Sequence, residues 1–197
     1  IPCYSITAKL TNDNESNMDI SKVGGHVIWM LYNRDVKDKT LSIDDAKQKA
    51  KDFLTSRGLE SMESTYYIEQ NNIATINFAY RQDNVTVYSD LVKVSVALDN
   101  GEILGFESAR YLFSHHNRDI ETPKITEEQA KELINKDLNA KSSGLAIIPT
   151  EVKTEVLVYE FTGKVNDRDF IVYINAETGN EEDILIIINT PNGILTI

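Results

Sequence analysis

Apolar residues recur at helical spacing in two stretches of the chain, and elsewhere they mostly alternate with polar ones. In TLSIDDAKQKAKDFLTSRGLE, Ile43, Ala46, Ala50, Phe53 and Leu54 share one face of a helix. Ser42 stands as its N-cap with Asp45 three places on, and Gly58 follows as a C-terminal stop. In KITEEQAKELINKDLNA the stripe is Ala130, Leu133, Ile134 and Leu138, and Thr126 with Gln129 forms a capping-box pair. Leu41 and Ile125 precede the two caps and can staple onto Ala46 and Ala130.

After each helix the pattern changes to period two, rich in Ile, Val and Tyr, as in antiparallel strands. The first set is STYYIEQ, IATINFAY, VTVYSDLVKVSVAL and EILGFES, with breaks at Asn71-Asn72 and at residues 81–84 and 99–101. The second is GLAIIP, TEVLVYEF, DFIVYIN and EDILIIIN, with breaks at Pro149 and at residues 162–167 and 176–180. The two N-caps lie 84 residues apart (126 − 42), so the helix and its strands form a repeated unit.

The closing strand-turn-strand occurs three times: VALDNGEILGFE (96–107), IVYINAETGNEEDILII (171–187) and NMDISKVGGHVIWML (17–31). Its Asn or Asp plus Gly supplies the positive φ that such a turn needs. No helix precedes the copy at 17–31. Residues 1–34 therefore read as the C-terminal part of a truncated module, followed by a complete module over 35–110, a linker over 111–124 and a second complete module over 125–197. The predicted fold class is α+β: a tandem repeat of small modules, each with one helix on a roughly four-stranded antiparallel sheet. Modules of this size make small cores, so the linker, with Tyr111, Leu112 and Phe113, is expected to be partly ordered.

Charge narrows the partners. The formal net charge of −11 and the pI of about 4.7 disfavour nucleic acid and anionic lipid surfaces. Apolar residues make up 41% of the chain, enough for a packed core. Cys3 is the single cysteine, so no internal disulfide forms. No apolar run approaches the ~18 residues of a membrane span. The chain opens Ile-Pro-Cys, without initiator Met or signal peptide, and reads as a fragment of something longer.

The residues offer little chemistry. His115 and His116 are adjacent, so on a strand they would point to opposite faces, and no H-E-x-x-H accompanies them. A metal-dependent enzyme at these histidines is the weakest reading, and no cofactor is expected. Asp44-Asp45 and Glu127-Glu128 lie in the first turns of the helices, where they complement the helix dipole. A calcium loop counted from Asp13 fails, because Met18 and Gly24 stand where Gly and Glu are required. There is no G-x-S-x-G and no P-loop. The expectation is a binding protein, not an enzyme. The candidate partner contacts are Tyr111, His115, His116 and Arg118 at the module junction, together with exposed sheet edges.

Helix, strands and a closing hairpin of the form V-x-L-D-x-x-G-E-I resemble the PepSY domain. Val96-Ala97-Leu98-Asp99-Asn100-Gly101-Glu102-Ile103 matches closely, and Ile174-Asn175-Ala176-Glu177-Thr178-Gly179 is a looser copy. Over nearly its full length the chain is similar to the C-terminal region of the YpeB family of spore germination proteins. The strings that carry this are GGHVIWMLYNRDV, INFAYRQDNVTVYSDLVKVSVALDNGEILGFESARYLFSHHNRDI and VLVYEFTGKVNDRDFIVYINAETGNEEDILII.

The resemblance implies an N-terminal membrane anchor and a helical region, both missing here, ahead of the PepSY repeats. It implies a non-catalytic role beside the cortex-lytic enzyme SleB, each needed for the other's accumulation, with the YpeB-like partner degraded on germination. It places the full-length protein in the spore envelope, at the outer face of the inner spore membrane or in the cortex. Peptidoglycan or a germination protease are further partners to consider. The PepSY link to peptidase propeptides carries the alternative of a protease inhibitor or regulatory module of the cell envelope.

Overall fold

The computed structural model describes residues 1–9, 14–151 and 154–196. Leu10 to Asp13, the last of them the first position of the excluded calcium loop, lie outside the described residues. The chain forms two compact units, Ile1–Tyr80 with Asp90–His115, and Arg81–Ser89 with His116–Ile197.

The first unit runs β1 (Cys3–Lys9), β2 (Glu15–Ser21), β3 (Val27–Tyr32), α1 (Ile43–Ser56), β4 (Met62–Gln70), β5 (Ile73–Gln82), β6 (Val85–Ala97), β7 (Ile103–Glu107) and α2 (Ala109–Ser114). The tip of the β5–β6 hairpin belongs to the second unit. That unit continues with α3 (Glu127–Leu133), β8 (Asn139–Pro149), β9 (Glu155–Val165), β10 (Arg168–Asn175), β11 (Glu181–Thr190) and β12 (Gly193–Thr196). The class is α+β, mostly strand.

The expected sheet of four strands per module is corrected in both units. In the first, the strand order is β1-β2-β3-β7-β6-β5-β4, so β1 to β3 share one sheet with β4 to β7. Trp29, Met30 and Leu31 pair with Glu107, Phe106 and Gly105. An unpaired strand edge is a liability, and joining β3 to β7 removes two of them. In the second unit β8 to β12 form an antiparallel run, with β12 an addition that the pattern did not signal. Thr86 and Val87 also pair in parallel with Ala146 and Ile147, where only antiparallel pairing was expected.

The thrice-written hairpin folds the same way each time. The backbone N–H of Ser21 donates to His26 O at 2.8 Å, that of Ala97 to Glu102 O at 2.9 Å, and that of Asn175 to Asn180 O at 2.8 Å. The next residue on always donates to the strand before: Lys22 to Pro2 O, Leu98 to Asn72 O, and Ala176 to Leu157 O. Each hairpin also carries a β-bulge at the same place, after Asp19, Ser95 and Tyr173. Gly101 (φ +80°) and Gly179 (φ +77°) hold the left-handed position that closes the turn.

Three other tight turns manage without glycine. Asn71-Asn72, Asp83-Asn84 and Asn166-Asp167 all have positive φ at both central residues, as short hairpins of right-twisted strands require. Asn and Asp tolerate that conformation best among residues with a side chain.

The capping boxes form at both helices. The Asp45 N–H donates to Ser42 Oγ at 3.1 Å, and the Ser42 N–H donates to Asp45 Oδ2 at 3.1 Å. Thr126 and Gln129 reciprocate at 3.2 and 2.8 Å. Gly58 and Leu59 donate to Thr55 O and Leu54 O, a Schellman stop to α1. Ala46, Ala50 and Leu54 of α1 pack on Ile76 and Phe78 of β5 and on Val92, Val94 and Val96 of β6. The second core is smaller: Ala130, Ile134 and Leu138 over Tyr159, Phe161, Val172 and Ile174. Alanine at the contact lets each helix lie close to its sheet.

The stripe drawn to Leu138 outruns α3, which ends at Leu133. Ile134 is extended, and Asn135 turns the chain by accepting from the Asp137 N–H. Leu138 therefore reaches the core from a turn and not from a helix.

Gly101→Ala forces a side chain into the left-handed region and sets its Cβ into the Lys49 side chain and 3.1 Å from Leu41 Cδ1. It is expected to cost about 1–2 kcal/mol in urea denaturation. Gly144→Ala, where nothing lies within 4 Å, is expected to stay within about 0.5 kcal/mol of wild type.

Candidate functional site

The four residues expected to contact a partner divide between the units. Tyr111 and His115 lie in the first, His116 and Arg118 in the second. Both groups are built from the chain that follows β7.

In the first unit, the Ser108 hydroxyl donates to Val27 O at 2.7 Å and starts the short helix α2. This helix has no side-chain cap bond and was not signalled by the pattern. It delivers Tyr111 onto the ring of His115, stacked at 4.2 Å and 15°. Tyr80 meets the His115 ring edge-on at 4.7 Å. His115 Nδ1 lies 2.7 Å from Asp90 Oδ2, whose carboxylate is wholly buried. A buried carboxylate on Nδ1 fixes the orientation of an imidazole. Burial first, and the Asp90 charge second, push the Tyr111 phenol above its ordinary value.

In the second unit, residues 116–124 run without regular structure along a cavity of about 480 Å³. His116, Arg118, Lys124, Glu155 and Glu177 give it charged walls. Arg118 is buried and binds Glu155 through two bonds, Nε to Oε2 at 2.8 Å and Nη2 to Oε1 at 2.7 Å. Its Nη1 donates to His116 O at 3.1 Å. The Gln82 carboxamide binds the Arg118 backbone like a neighbouring strand, Nε2 donating to the carbonyl and Oε1 accepting from the N–H. The guanidinium holds the Glu155 carboxyl below its ordinary value, against the opposing effect of burial. Lys124 pairs with Glu177 at the mouth of the hairpin turn.

A sequence signal for this arrangement lies in a second internal match. Asn33-Arg34-Asp35 recurs as Asn117-Arg118-Asp119, at the 84-residue spacing of the N-caps (117 − 33). The two arginines bind differently. Arg34 enters the β6–β7 turn of the module that follows it, with two bonds of 2.9 Å to Asp99, one of 2.7 Å to Glu102 and one of 2.8 Å to Asn100. The Asp99 carboxyl is held well below the usual carboxylate range, first by Arg34. The corresponding turn residues of the last module are Glu177, Thr178 and Asn180, and there Lys124 takes the acid while Arg118 binds Glu155.

Burial pushes the Glu160 carboxyl on β9 above its ordinary value, despite hydrogen bonds from Tyr88 and Tyr173. His26 is placed in the β2–β3 turn, where its N–H donates to Ser21 Oγ at 2.9 Å. Among the described residues no group of three or more His, Cys, Asp or Glu could hold a metal ion. No helix among them is long and apolar enough to cross a membrane.

Residues 1–121 match the family model described as YpeB sporulation, PepSY1 and PepSY2 domains, and residues 124–185 match the model described as peptidase propeptide and YPEB domain. The chain is 40% identical over 167 residues to a sporulation protein YpeB of Halalkalibacterium halodurans, covering 85% of this chain and 37% of the relative. It is 37% identical over 169 residues to that of Bacillus subtilis, covering 85% of this chain and 38% of the relative. These curated relatives are thus much longer than the part matched. The solved Bacillus megaterium YpeB C-terminal domain superposes with a TM-score of 0.86 at 35% identity, covering 95% of this chain and 84% of that one.

Two substitutions test the electrostatics of the second unit. Arg118→Met leaves Glu155 partly buried and unpaired, and is expected to cost roughly 2–3 kcal/mol in denaturant, less than a fully enclosed pair because Glu155 keeps some exposure. Adding Glu155→Gln should recover part of that loss. A raised carboxyl stabilises the fold fully only below its unfolded value of about 4.5, and the penalty grows as pH rises through the folded value. Glu160→Gln should therefore raise Tm at pH 7 and leave it unchanged at pH 4.

Proposed function

This chain belongs to the YpeB family of sporulation proteins, and on that premise we propose that it is the non-catalytic, protein-binding region of a spore germination protein. Its partner is the cortex-lytic enzyme SleB, which it stabilises or restrains in the dormant spore. The observation that carries the reading is the family match over both segments, 1–121 and 124–185. The side-chain chemistry supports it. Asp90 with His115, and Arg118 with Glu155, are the groups best suited to acid–base or anion chemistry, and each is engaged by the other in holding local structure.

The longer protein works at the outer face of the inner spore membrane or in the cortex, anchored through a segment outside this chain. The charged cavity beside residues 116–124 is the contact to examine first. It has room for several side chains of a partner, and its walls carry both signs of charge.

A second reading has its own support. The model matched by residues 124–185 is described as a peptidase propeptide domain, which favours a stoichiometric inhibitor of an envelope or germination protease. The two readings separate in solution.

Calorimetric titration of purified SleB with this chain at modest salt should give saturable heat, and Lys124→Glu at the cavity wall should weaken it. No heat with SleB, in this chain and in the full-length protein alike, would overturn the reading. Dose-dependent slowing of a spore protease in place of that heat would favour the inhibitor.

A further inference from the structure

The sheet of the first unit has a second face, turned away from α1, and its side chains form a regular grid. Side chains alternate from face to face along a strand. Met30, Phe106 and Val94 stand side by side on β3, β7 and β6 and belong to the core under α1. Their neighbours along the strands therefore point the other way. One row of this outer face runs Ser5, Asp19, Trp29, Glu107, Lys93, each residue facing the next across the strands. The row beside it runs Thr7, Asn17, Leu31, Gly105, Ser95.

Three features set this face apart from a plain solvated one. Its polar side chains are bonded to one another across the strands. Ser5 Oγ donates to Asp19 Oδ1 at 2.6 Å, Thr7 Oγ1 to Asn17 Oδ1 at 2.8 Å, and Lys93 Nζ to Glu107 Oε2 at 3.3 Å. They are held in place with lone pairs to spare. Trp29, the only tryptophan of the chain, is half-buried in the middle of the first row. Its Nε1–H donates to Asp19 Oδ2 at 2.6 Å, which fixes the orientation of the indole. Gly105 leaves a gap in the second row, although its φ lies outside the left-handed region and no turn asks for glycine there. The gap floors a trough of about 410 Å³, with Trp29 and Leu31 on one side and Lys93 and Ser95 on the other. Glycine inside a strand is one way for a sheet to admit another molecule close to its backbone.

The chemistry of the face selects the ligand. Asp19 and Glu107 against Lys93 leave one surplus negative charge on it, which disfavours an anionic chain. Trp29 and Leu31 offer little apolar anchorage for a protein partner. Hydroxyl groups find donors and acceptors in both rows, and an indole face receives the C–H face of a pyranose ring. The spacing fits as well: strands lie about 4.8 Å apart, close to the advance of one ring along a β-1,4-linked chain. The five-residue row spans about 19 Å, room for about four rings.

We propose that this outer sheet face binds an uncharged, linear β-1,4-linked glycan lying across β1, β2, β3, β7 and β6. Trp29 stacks on one ring, and the trough over Gly105 receives the substituents beside it. Asp19, Glu107 and Lys93 hydrogen-bond the hydroxyls. No residue of this face lines the charged cavity beside residues 116–124, so protein binding there and glycan binding here are tested apart.

Trp29 is its own probe. Titrating this chain with chitohexaose should shift the tryptophan emission to the blue, saturably, as water leaves the ring. Isomaltohexaose, an α-1,6-linked chain with no flat ribbon, should give no saturable change at the same concentrations. Trp29→Ala, followed by calorimetry, should weaken chitohexaose binding at least about tenfold. Lys93→Ala is a change at an exposed position that leaves the indole in place, and should weaken it at least about threefold by either readout. Should Trp29→Ala fold poorly, Lys93→Ala carries the test alone. Emission and heat that both stay flat with chitohexaose would overturn the proposal. So would equal binding of the two sugars, or an affinity for chitohexaose that neither substitution changes.

Discussion

One backbone carbonyl in each complete module accepts two consecutive N–H groups, and the packing of the module depends on it. Leu98 O receives the N–H groups of Thr40 and Leu41 at 2.8 and 2.9 Å, and Ala176 O receives those of Lys124 and Ile125 at 2.9 and 3.2 Å. The segment leading into a helix has donors that the helix cannot satisfy. Here they are satisfied by the residue that opens the hairpin turn, so helix start and sheet end are tied at one point. From there the capping box sets the helix axis, the staple residue enters the core, and the alanine face comes down on the strands. A bulge stands just ahead of the turn in all three hairpins.

The same repeat makes divergence visible. Arg34 and Arg118 come from one duplicated triplet, yet Arg34 locks the turn of the module that follows it while Arg118 is buried against Glu155. The difference follows from the turn. Asp99, Asn100 and Glu102 offer a guanidinium four acceptors in a fork, and Glu177, Thr178 and Asn180 do not. Lys124 replaces the arginine at the last turn. What results beside residues 116–124 is a cavity with charged walls, and this point of difference between the modules is also the place proposed for a partner.

Much of this was legible in the sequence because it is local. Ser42, Asp45, Thr126, Gln129 and Gly58 announce the helix ends through bonds that span three to five residues. The Asn and Asp pairs at 71–72, 83–84 and 166–167 announce hairpins for the same reason. The joining of β3 to β7 and the parallel pair of Thr86 and Val87 with Ala146 and Ile147 were not legible, since strand edges carry no mark of their neighbour in sequence. Helix α2 escaped because it lacks a cap bond and has no buried stripe. Of the candidate contacts, Arg118 is marked in the sequence by its place at the junction. Its burial depends on Gln82 and Glu155, more than 30 residues away on either side.

The module architecture therefore rests on one physical device used repeatedly: a hairpin carbonyl that anchors the start of a helix. Hydrogen exchange at single-residue resolution tests it directly. If the carbonyl bonds hold the modules together, the amides of Leu41 and Ile125 exchange only with the opening that also exposes the turn amides of Ala97 and Asn175, and show matching protection. Exchange of Leu41 and Ile125 at open-chain rates, with Ala97 and Asn175 still protected, would contradict the account.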